Sequence, residues 1–175
     1  MKKIILLLIG LITCVNYSLF SQTVIDTVCV IKITDSMSDK SGLMATYPLV
    51  ISNENTTKGF SLTPMFLSFG LGIYLNSKMY GFSGCNENDK LIIVLENNEK
   101  INLISHNSFN CTGEGSFKLS RSIIKKLRTS PLYKIRITNG RSGDSYTDTV
   151  SINYKYYFLQ LFNSYYSKNY QIINF

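Results

Sequence analysis

Acid–base catalysis in this chain would depend on His106, because it is the only histidine among the 175 residues. A Ser-His-Asp triad would need a serine on a sharp turn and a carboxylate to orient the imidazole, and the candidates are Asp89, Asp144 and Asp148. The sequence contains no Gly-x-Ser-x-Gly segment, and a single histidine with a single partner cannot hold a catalytic zinc. We therefore expect a non-catalytic protein without a metal or other cofactor, and a hydrolase acting through His106 is the alternative.

Two of the cysteines are placed for a structural disulfide. Cys85 and Cys111 lie among glycine and asparagine residues that favour turns, whereas Cys29 lies in a β-branched run and is expected to be a buried thiol. The prediction is a Cys85–Cys111 bond in an oxidising compartment. Closing this loop would contribute about 3 to 3.5 kcal/mol on the chain-entropy model.

Charge is unevenly distributed along the chain, which carries 18 basic and 11 acidic residues. The segment from Lys118 to Arg141 contains eight basic residues and no acidic one. In it, helical spacing places three cations on one face, and strand alternation places two more on a common side. These five are Arg121, Lys125, Arg128, Lys134 and Arg136.

If the two sets are contiguous, they form a basic face for an anionic envelope polymer or glycan. The competing interpretation is an ordinary solvated surface. No aromatic residues alternate with the cations for bases to stack on, so a specific nucleic-acid partner is not expected.

Apolar periodicity predicts an α+β domain, mainly antiparallel β, with about eight strands in a sheet or sandwich. The clearest alternation is Leu67, Phe69, Leu71, Ile73 and Leu75, which predicts one strand buried on one side and followed by a turn at residues 76–78. The hairpin prediction rests on residues 91–95 and 101–104 around Asn97-Asn98.

Two helices are predicted. Ser120 is a cap for a short helix near residues 120–129, with Pro131 beyond its end. Ser151 is a candidate cap for a C-terminal helix near residues 151–166, whose aromatic face would pack on the sheet or present a platform for sugars.

The N-terminal residues 1–21 have two lysines, a short apolar run and a small-residue end, which is the pattern of a secretory signal peptide. We expect cleavage before Gln22, one secreted or periplasmic domain over residues 22–175, and no transmembrane segment in the mature chain. The alternative is an outer-membrane lipoprotein acylated at Cys14, although Thr13 fits a lipobox poorly.

Six short segments follow one another between residues 79 and 162: Gly84-Cys85, Asp89-Lys90-Leu91-Ile92-Ile93, Glu99-Lys100-Ile101-Asn102-Leu103, Leu119-Ser120, Leu127-Arg128-Thr129 and Lys134-Ile135-Arg136-Ile137. This succession resembles a family of small secreted Bacteroidetes proteins that has no characterised function. It includes no catalytic signature. The resemblance implies the compartment and carries over no functional residues.

A Bacteroidetes source would also give meaning to Asp-[Ser/Thr]-apolar triplets, which resemble O-glycosylation sites of that group. The best candidate is Ser36, in a predicted loop; the triplets at Thr27 and Thr149 lie in predicted strands. Taken together, the sequence predicts a secreted, non-catalytic binding module of the cell envelope, and an inhibitor of a protein partner is a further alternative.

Overall fold

The computed structural model describes residues 30–35, 40–67, 72–167 and 170–174. The predicted signal peptide, Cys29 and Ser36 lie outside these residues. The strands are β1 Val30–Asp35, β2 Lys40–Ala45, β3 Leu49–Ser52, β4 Gly59–Leu67, β5 Gly72–Tyr80, β6 Lys90–Leu95, β7 Lys100–Ile104, β8 Glu114–Leu119, β9 Leu132–Thr138, β10 Ser145–Thr149 and β11 Tyr170–Asn174; the helices are α1 Arg121–Leu127 and α2 Tyr157–Ser167.

These strands form a large sheet and a small sheet. The large sheet has seven strands in the order β11-β1-β2-β4-β5-β8, with β3 paired to β4 beside β2. The small sheet has four strands in the order β10-β9-β6-β7. All pairs are antiparallel except β1 with β11, so the predicted α+β, mainly antiparallel class is confirmed. The described residues contain eleven strands, more than the eight expected.

One hydrophobic core joins the two sheets and the two helices. Phe60 of the large sheet meets Tyr146 of the small sheet edge to face, with ring centroids 6.4 Å apart. Leu127 of α1 and Phe162 of α2 are fully buried in the same core. The inner faces of both sheets therefore point toward one another and the helices, which leaves outer faces for solvent.

The short helix α1 agrees with its prediction. Ser120 has an extended backbone and its Oγ accepts a hydrogen bond from the amide of Ile123 at 3.3 Å. This satisfies one of the amides that a helix start leaves unpaired. The helix ends before Pro131, and Ile124 and Leu127 are its buried residues.

The C-terminal helix begins later than predicted, so the assignment of Ser151 as its cap is wrong. Residues 152–156 form turns, in which the amide of Tyr154 donates to the Ser151 carbonyl and that of Tyr157 to the Tyr154 carbonyl. The carbonyl of Lys155 accepts a hydrogen bond from Leu132 of β9 at 2.8 Å. This segment is therefore tied to the small sheet before the helix starts.

The single strand predicted from Leu67 to Leu75 is also wrong. Leu67 ends β4, Gly72 begins the antiparallel β5, and residues 68–71 lie outside the description. β5 then continues through residues 76–78, where a turn was predicted. Its neighbours β4 and β8 pair with it on both sides there, and these ladder hydrogen bonds outweigh the local turn preference of Asn76 and Ser77.

Candidate functional site

The outer face of the small sheet collects basic residues from three strands. Pairing registers place twelve side chains on this face, because residues opposite one another in a ladder point to the same side. Four are cationic, none is acidic, and the rest are hydroxyl, amide or aliphatic. They are Ser145, Thr147 and Thr149 of β10; Lys134, Arg136 and Thr138 of β9; Lys90, Ile92 and Val94 of β6; and Lys100, Asn102 and Ile104 of β7.

The four cations of this basic sheet face, Lys90, Lys100, Lys134 and Arg136, are exposed to solvent. Alternate residues on a strand are about 7 Å apart and next-but-one strands about 10 Å apart, so the cations are spaced by about 7 to 10 Å. Ile104, at the edge of the face, is 59% exposed. The surface is thus a flat array of separated positive charges with uncharged groups between them.

None of these four cations belongs to an ion pair within the part of the chain that the structure describes. The salt bridges there are Lys58–Asp144, Lys78–Glu114, Lys126–Glu99 and Lys155–Glu96. Glu96 and Glu99, the acids at the β6–β7 turn, therefore form ion pairs with Lys155 and Lys126 and not with the sheet face. The positive charge of the sheet face is left without internal compensation.

Arg136 is held in a defined orientation by its neighbour on β10. Its Nε donates a hydrogen bond to Thr147 Oγ1 at 2.7 Å, across the β9–β10 ladder. The terminal nitrogens of a guanidinium held in this way can still donate in parallel to a carboxylate or phosphate group. A planar, oriented donor at the centre of the face suits an anionic ligand.

The predicted set of five cations is divided between two surfaces. Lys134 and Arg136 lie on the basic sheet face, whereas Arg121 and Lys125 are exposed on α1. The buried residues of α1 belong to the core on the inner side of the small sheet, whereas Lys134 and Arg136 point to its outer side.

Arg128 differs from the other four. It is half-buried, its guanidinium lies 4.3 Å from the ring centroid of Tyr166, and its Nε has no hydrogen-bond partner in the described residues. This cation–π contact joins α1 to α2 and gives Arg128 a packing role.

Lys90 and Lys100 were not among the predicted site residues. Each lies immediately before a predicted strand, where a lysine is an ordinary solvated residue. Only the β6–β9 and β6–β7 registers place them beside Lys134 and Arg136. A sequence signal did exist, since Ile92 and Val94 alternate with the buried Leu91, Ile93 and Leu95 and so mark the outer side of β6.

The His106 side chain is exposed, and its backbone amide donates to the Ser116 carbonyl at 2.8 Å. The three candidate orienting carboxylates have other partners. Asp144 binds Lys58, Asp148 accepts from the Tyr146 hydroxyl, and Asp89 accepts from Asn86 and Gly140. The described residues show no hydrogen bond between His106 and a carboxylate or serine side chain.

Cys85 and Cys111 form the predicted disulfide. It ties the loop before β6 to the loop before β8, which are also joined by two backbone hydrogen bonds between Asn86 and Asn110. Thr149, within one glycosylation triplet, is exposed on the edge strand β10. Glycosylation of Ser36 and the state of Cys29 stay predictions.

A polar groove of about 590 Å³ lies beside the disulfide loops. Its walls come from β4, β5 and β8 and from residues 107–112, and include Ser61, Thr63, Asn76, Ser116, Asn107 and Thr112. Sequence analysis did not predict this groove. The run of asparagine, serine and threonine after β7 is the one signal that pointed to it.

Comparison of the chain with protein-family models, curated proteins and solved structures finds no match. Neither helix in the described residues is long and apolar enough to cross a membrane. Those residues also contain no group of three or more His, Cys, Asp or Glu side chains arranged to hold a metal ion.

Proposed function

We propose that this protein is a secreted, non-catalytic binding module that holds an anionic polysaccharide on its basic sheet face. The observation that carries the proposal is the absence of acids from that face: Lys90, Lys100, Lys134 and Arg136 are exposed, and none has an ion-pair partner in the described residues. Uncompensated charges of one sign attract an oppositely charged partner and raise its local concentration.

The shape and chemistry of the face favour a polysaccharide over a nucleic acid. A flat sheet with cations about 7 to 10 Å apart suits an extended polysaccharide that carries one carboxylate or phosphate group on every sugar or on every second sugar. Threonine, serine and asparagine between the cations can hydrogen-bond sugar hydroxyls. None of the twelve paired positions is aromatic, whereas single-stranded nucleic acids are bound by rings on which successive bases stack.

Secretion is part of the proposal. The signal-like residues 1–21 support it, and a disulfide between Cys85 and Cys111 suits an oxidising compartment. Intact-mass measurement of the protein recovered from a secreting host is expected to give a chain that begins at Gln22. A lipid-modified chain that begins at Cys14 would instead identify a lipoprotein.

The binding test compares two charge-matched variants. Lys100→Gln/Lys134→Gln removes two cations from the sheet face, and Arg121→Gln/Lys125→Gln removes two from α1, so both lower the net charge by the same amount. Binding to polygalacturonate, a carboxylate polymer, and to a phosphate-rich lipopolysaccharide is measured by co-sedimentation at 50 and 300 mM NaCl, with uncharged dextran as the reference polymer.

We expect the sheet variant to bind about 10- to 30-fold more weakly and the α1 variant to bind like the wild type. The estimate follows from about 1 kcal/mol for each cation near an anionic surface. Binding should weaken at the higher salt because ions screen exposed charges. Equal loss in both variants would contradict a localised site, and no binding to either polyanion would contradict the function.

A further inference from the structure

Asp89 is a buried carboxylate where three loops meet. It is fully buried just before β6. Its Oδ1 accepts from the Gly140 amide at 3.1 Å, its Oδ2 accepts from Asn86 Nδ2 at 2.6 Å, and its own amide donates to Ser105 Oγ at 2.7 Å. No Lys or Arg of the described residues forms a salt bridge with it. A buried negative charge without a cationic partner is unfavourable.

Three buried side-chain oxygens near Asp89 have no hydrogen-bond partner: Ser77 Oγ, Asn86 Oδ1 and Asn107 Oδ1. Ser77 and Asn86 are 3% and 1% exposed, so their side chains lie away from bulk solvent. Buried polar atoms in folded proteins are almost always paired, and each exception needs an explanation. Three such atoms around one carboxylate indicate a missing positive or donating group.

Two of these unpaired oxygens, those of Ser77 and Asn107, lie beside Gly115 together with one oxygen of Asp89. A Cβ at that glycine would lie 2.9 Å from Ser77 Oγ, 3.1 Å from Asp89 Oδ2 and 3.4 Å from Asn107 Oδ1. Three oxygen atoms from three parts of the chain thus line the space beside Gly115, where a larger residue would collide with them. We call this space the Gly115 cradle.

Hydrogen bonds fix which way the two amides face. Asn86 Nδ2 donates both to Asp89 Oδ2 and to the Glu114 carbonyl at 2.9 Å, so its Oδ1 is left as an acceptor. Asn107 Nδ2 donates to the Ser108 carbonyl at 3.2 Å, which leaves its Oδ1 toward the cradle. The two unpaired amide oxygens are therefore acceptors, and acceptors around a carboxylate suit a cation.

We propose that Asp89, Ser77 and Asn107 bind a calcium ion in the Gly115 cradle. Ca²⁺ takes oxygen ligands from carboxylate, amide carbonyl and water at 2.3–2.6 Å in a flexible geometry. The ion would lie beside Gly115 in contact with Asp89, Ser77 and Asn107. It neutralises Asp89 and gives the unpaired oxygens of Ser77 and Asn107 a partner. This inference does not depend on the anionic ligand of the small sheet.

The cradle is reached from the polar groove, because Ser77, Asn107 and Gly115 also line that groove. Water from the groove can therefore complete the coordination of the ion. A site with one carboxylate is expected to be weak, with a Kd of about 0.1 to 1 mM, as in extracellular calcium modules. Such a site fills only where calcium is abundant, as it is outside the cytoplasm.

The test uses the full mature chain after dialysis against EGTA. Calcium binding is measured by isothermal titration and by the thermal unfolding midpoint, with NaCl and MgCl₂ at matched ionic strength as references. Calcium at about ten times the Kd should raise the midpoint by about 3 to 6 °C. A midpoint that does not respond to calcium, or that responds equally to NaCl or MgCl₂, would overturn the proposal.

Ser77→Ala/Gly115→Ala fills the cradle while removing the oxygen that the new methyl group would approach most closely. We expect it to fold and to bind calcium at least tenfold more weakly. Ser61→Ala, which removes a hydroxyl from the neighbouring strand β4, is the control and should bind like the wild type.

Asp89→Asn should lose the calcium response as well. Because Asp89 also joins three loops, the circular dichroism of the Asp89→Asn variant is checked first. If that variant does not fold, calcium binding by Ser77→Ala/Gly115→Ala tests the site. Wild-type affinity in the double variant would overturn the site.

Discussion

Two tyrosine hydroxyls are kept protonated by their surroundings. Tyr157 is buried and its hydroxyl donates to the Tyr47 carbonyl at 2.6 Å; burial raises the pKa of Tyr157 far above its usual range. Burial, and then the hydrogen bond to Asp148, raises the pKa of Tyr146 to about 12. In both cases the folded state favours the neutral phenol.

Alkaline pH should therefore destabilise the protein. Above about pH 10 the unfolded chain releases tyrosine protons that the folded chain retains, so the free energy of unfolding falls as the pH rises through 12. Urea denaturation at pH 8, 10 and 11.5 measures this slope, and Tyr146→Phe should make it shallower. A wild-type free energy of unfolding that stays constant from pH 8 to 11.5 would contradict this.

At the scale of single residues, the sequence predicted what depends on near neighbours. The turn residues around Cys85 and Cys111 were enough to choose the disulfide, and alternation placed Lys134 and Arg136 on one side of a strand. Lys90 and Lys100 were missed because their position depends on which strands pair. The unpaired oxygen of Ser77 was missed for the same reason, since Gly115 comes beside it only through the β5–β8 register.

The two helices differ in whether a serine side chain caps their first turn. Ser120 has a side-chain hydrogen bond to α1, and Ser151 lies six residues before α2. Ser120→Ala should reduce the free energy of unfolding by about 1 kcal/mol, whereas Ser151→Ala should leave it nearly unchanged. Chemical denaturation of both variants measures the difference. A larger loss in the Ser151 variant would mean that α2 starts at the predicted position in solution.

Hydrophobic alternation alone could not place the break between β4 and β5. Leu67, Ile73 and Leu75 are in phase with a single strand, yet Leu67 is 41% exposed and the other two are buried. In the antiparallel pair, Leu67 lies opposite Gly72 and Ile73 lies opposite Phe66, so Leu67 and Ile73 point to opposite faces although they are in phase along the sequence. This register involves two strands, so a pattern within one segment does not encode it.

For the molecule as a whole, the Cys85–Cys111 bond is a large part of the stability. It closes a loop with a sequence separation of 26 residues, and removing it should cost about 3.5 kcal/mol on the chain-entropy model. Cys85→Ser/Cys111→Ser should still unfold in one transition, because both sheets share one core. Fluorescence and circular dichroism with separate midpoints would contradict a single cooperative unit.

The fold class could be predicted because the ratio and spacing of strands and helices follow from local patterns. The order of strands in the two sheets could not. β5 pairs with β8 across the hairpin of β6 and β7, and β6 pairs with β9 across β7, β8 and α1. Such pairings depend on how completely the entire chain buries its apolar surface, which no single segment encodes.

The parallel pairing of β1 with β11 has a consequence for biosynthesis. Val30 pairs with Tyr170, so the ribosome makes β1 long before it makes the strand that pairs with this edge. Until then one edge of β1 exposes free amide and carbonyl groups that can pair with a second chain. Refolding yield should therefore fall with protein concentration, and a host that overproduces the protein should accumulate it in inclusion bodies before it accumulates a misfolded monomer.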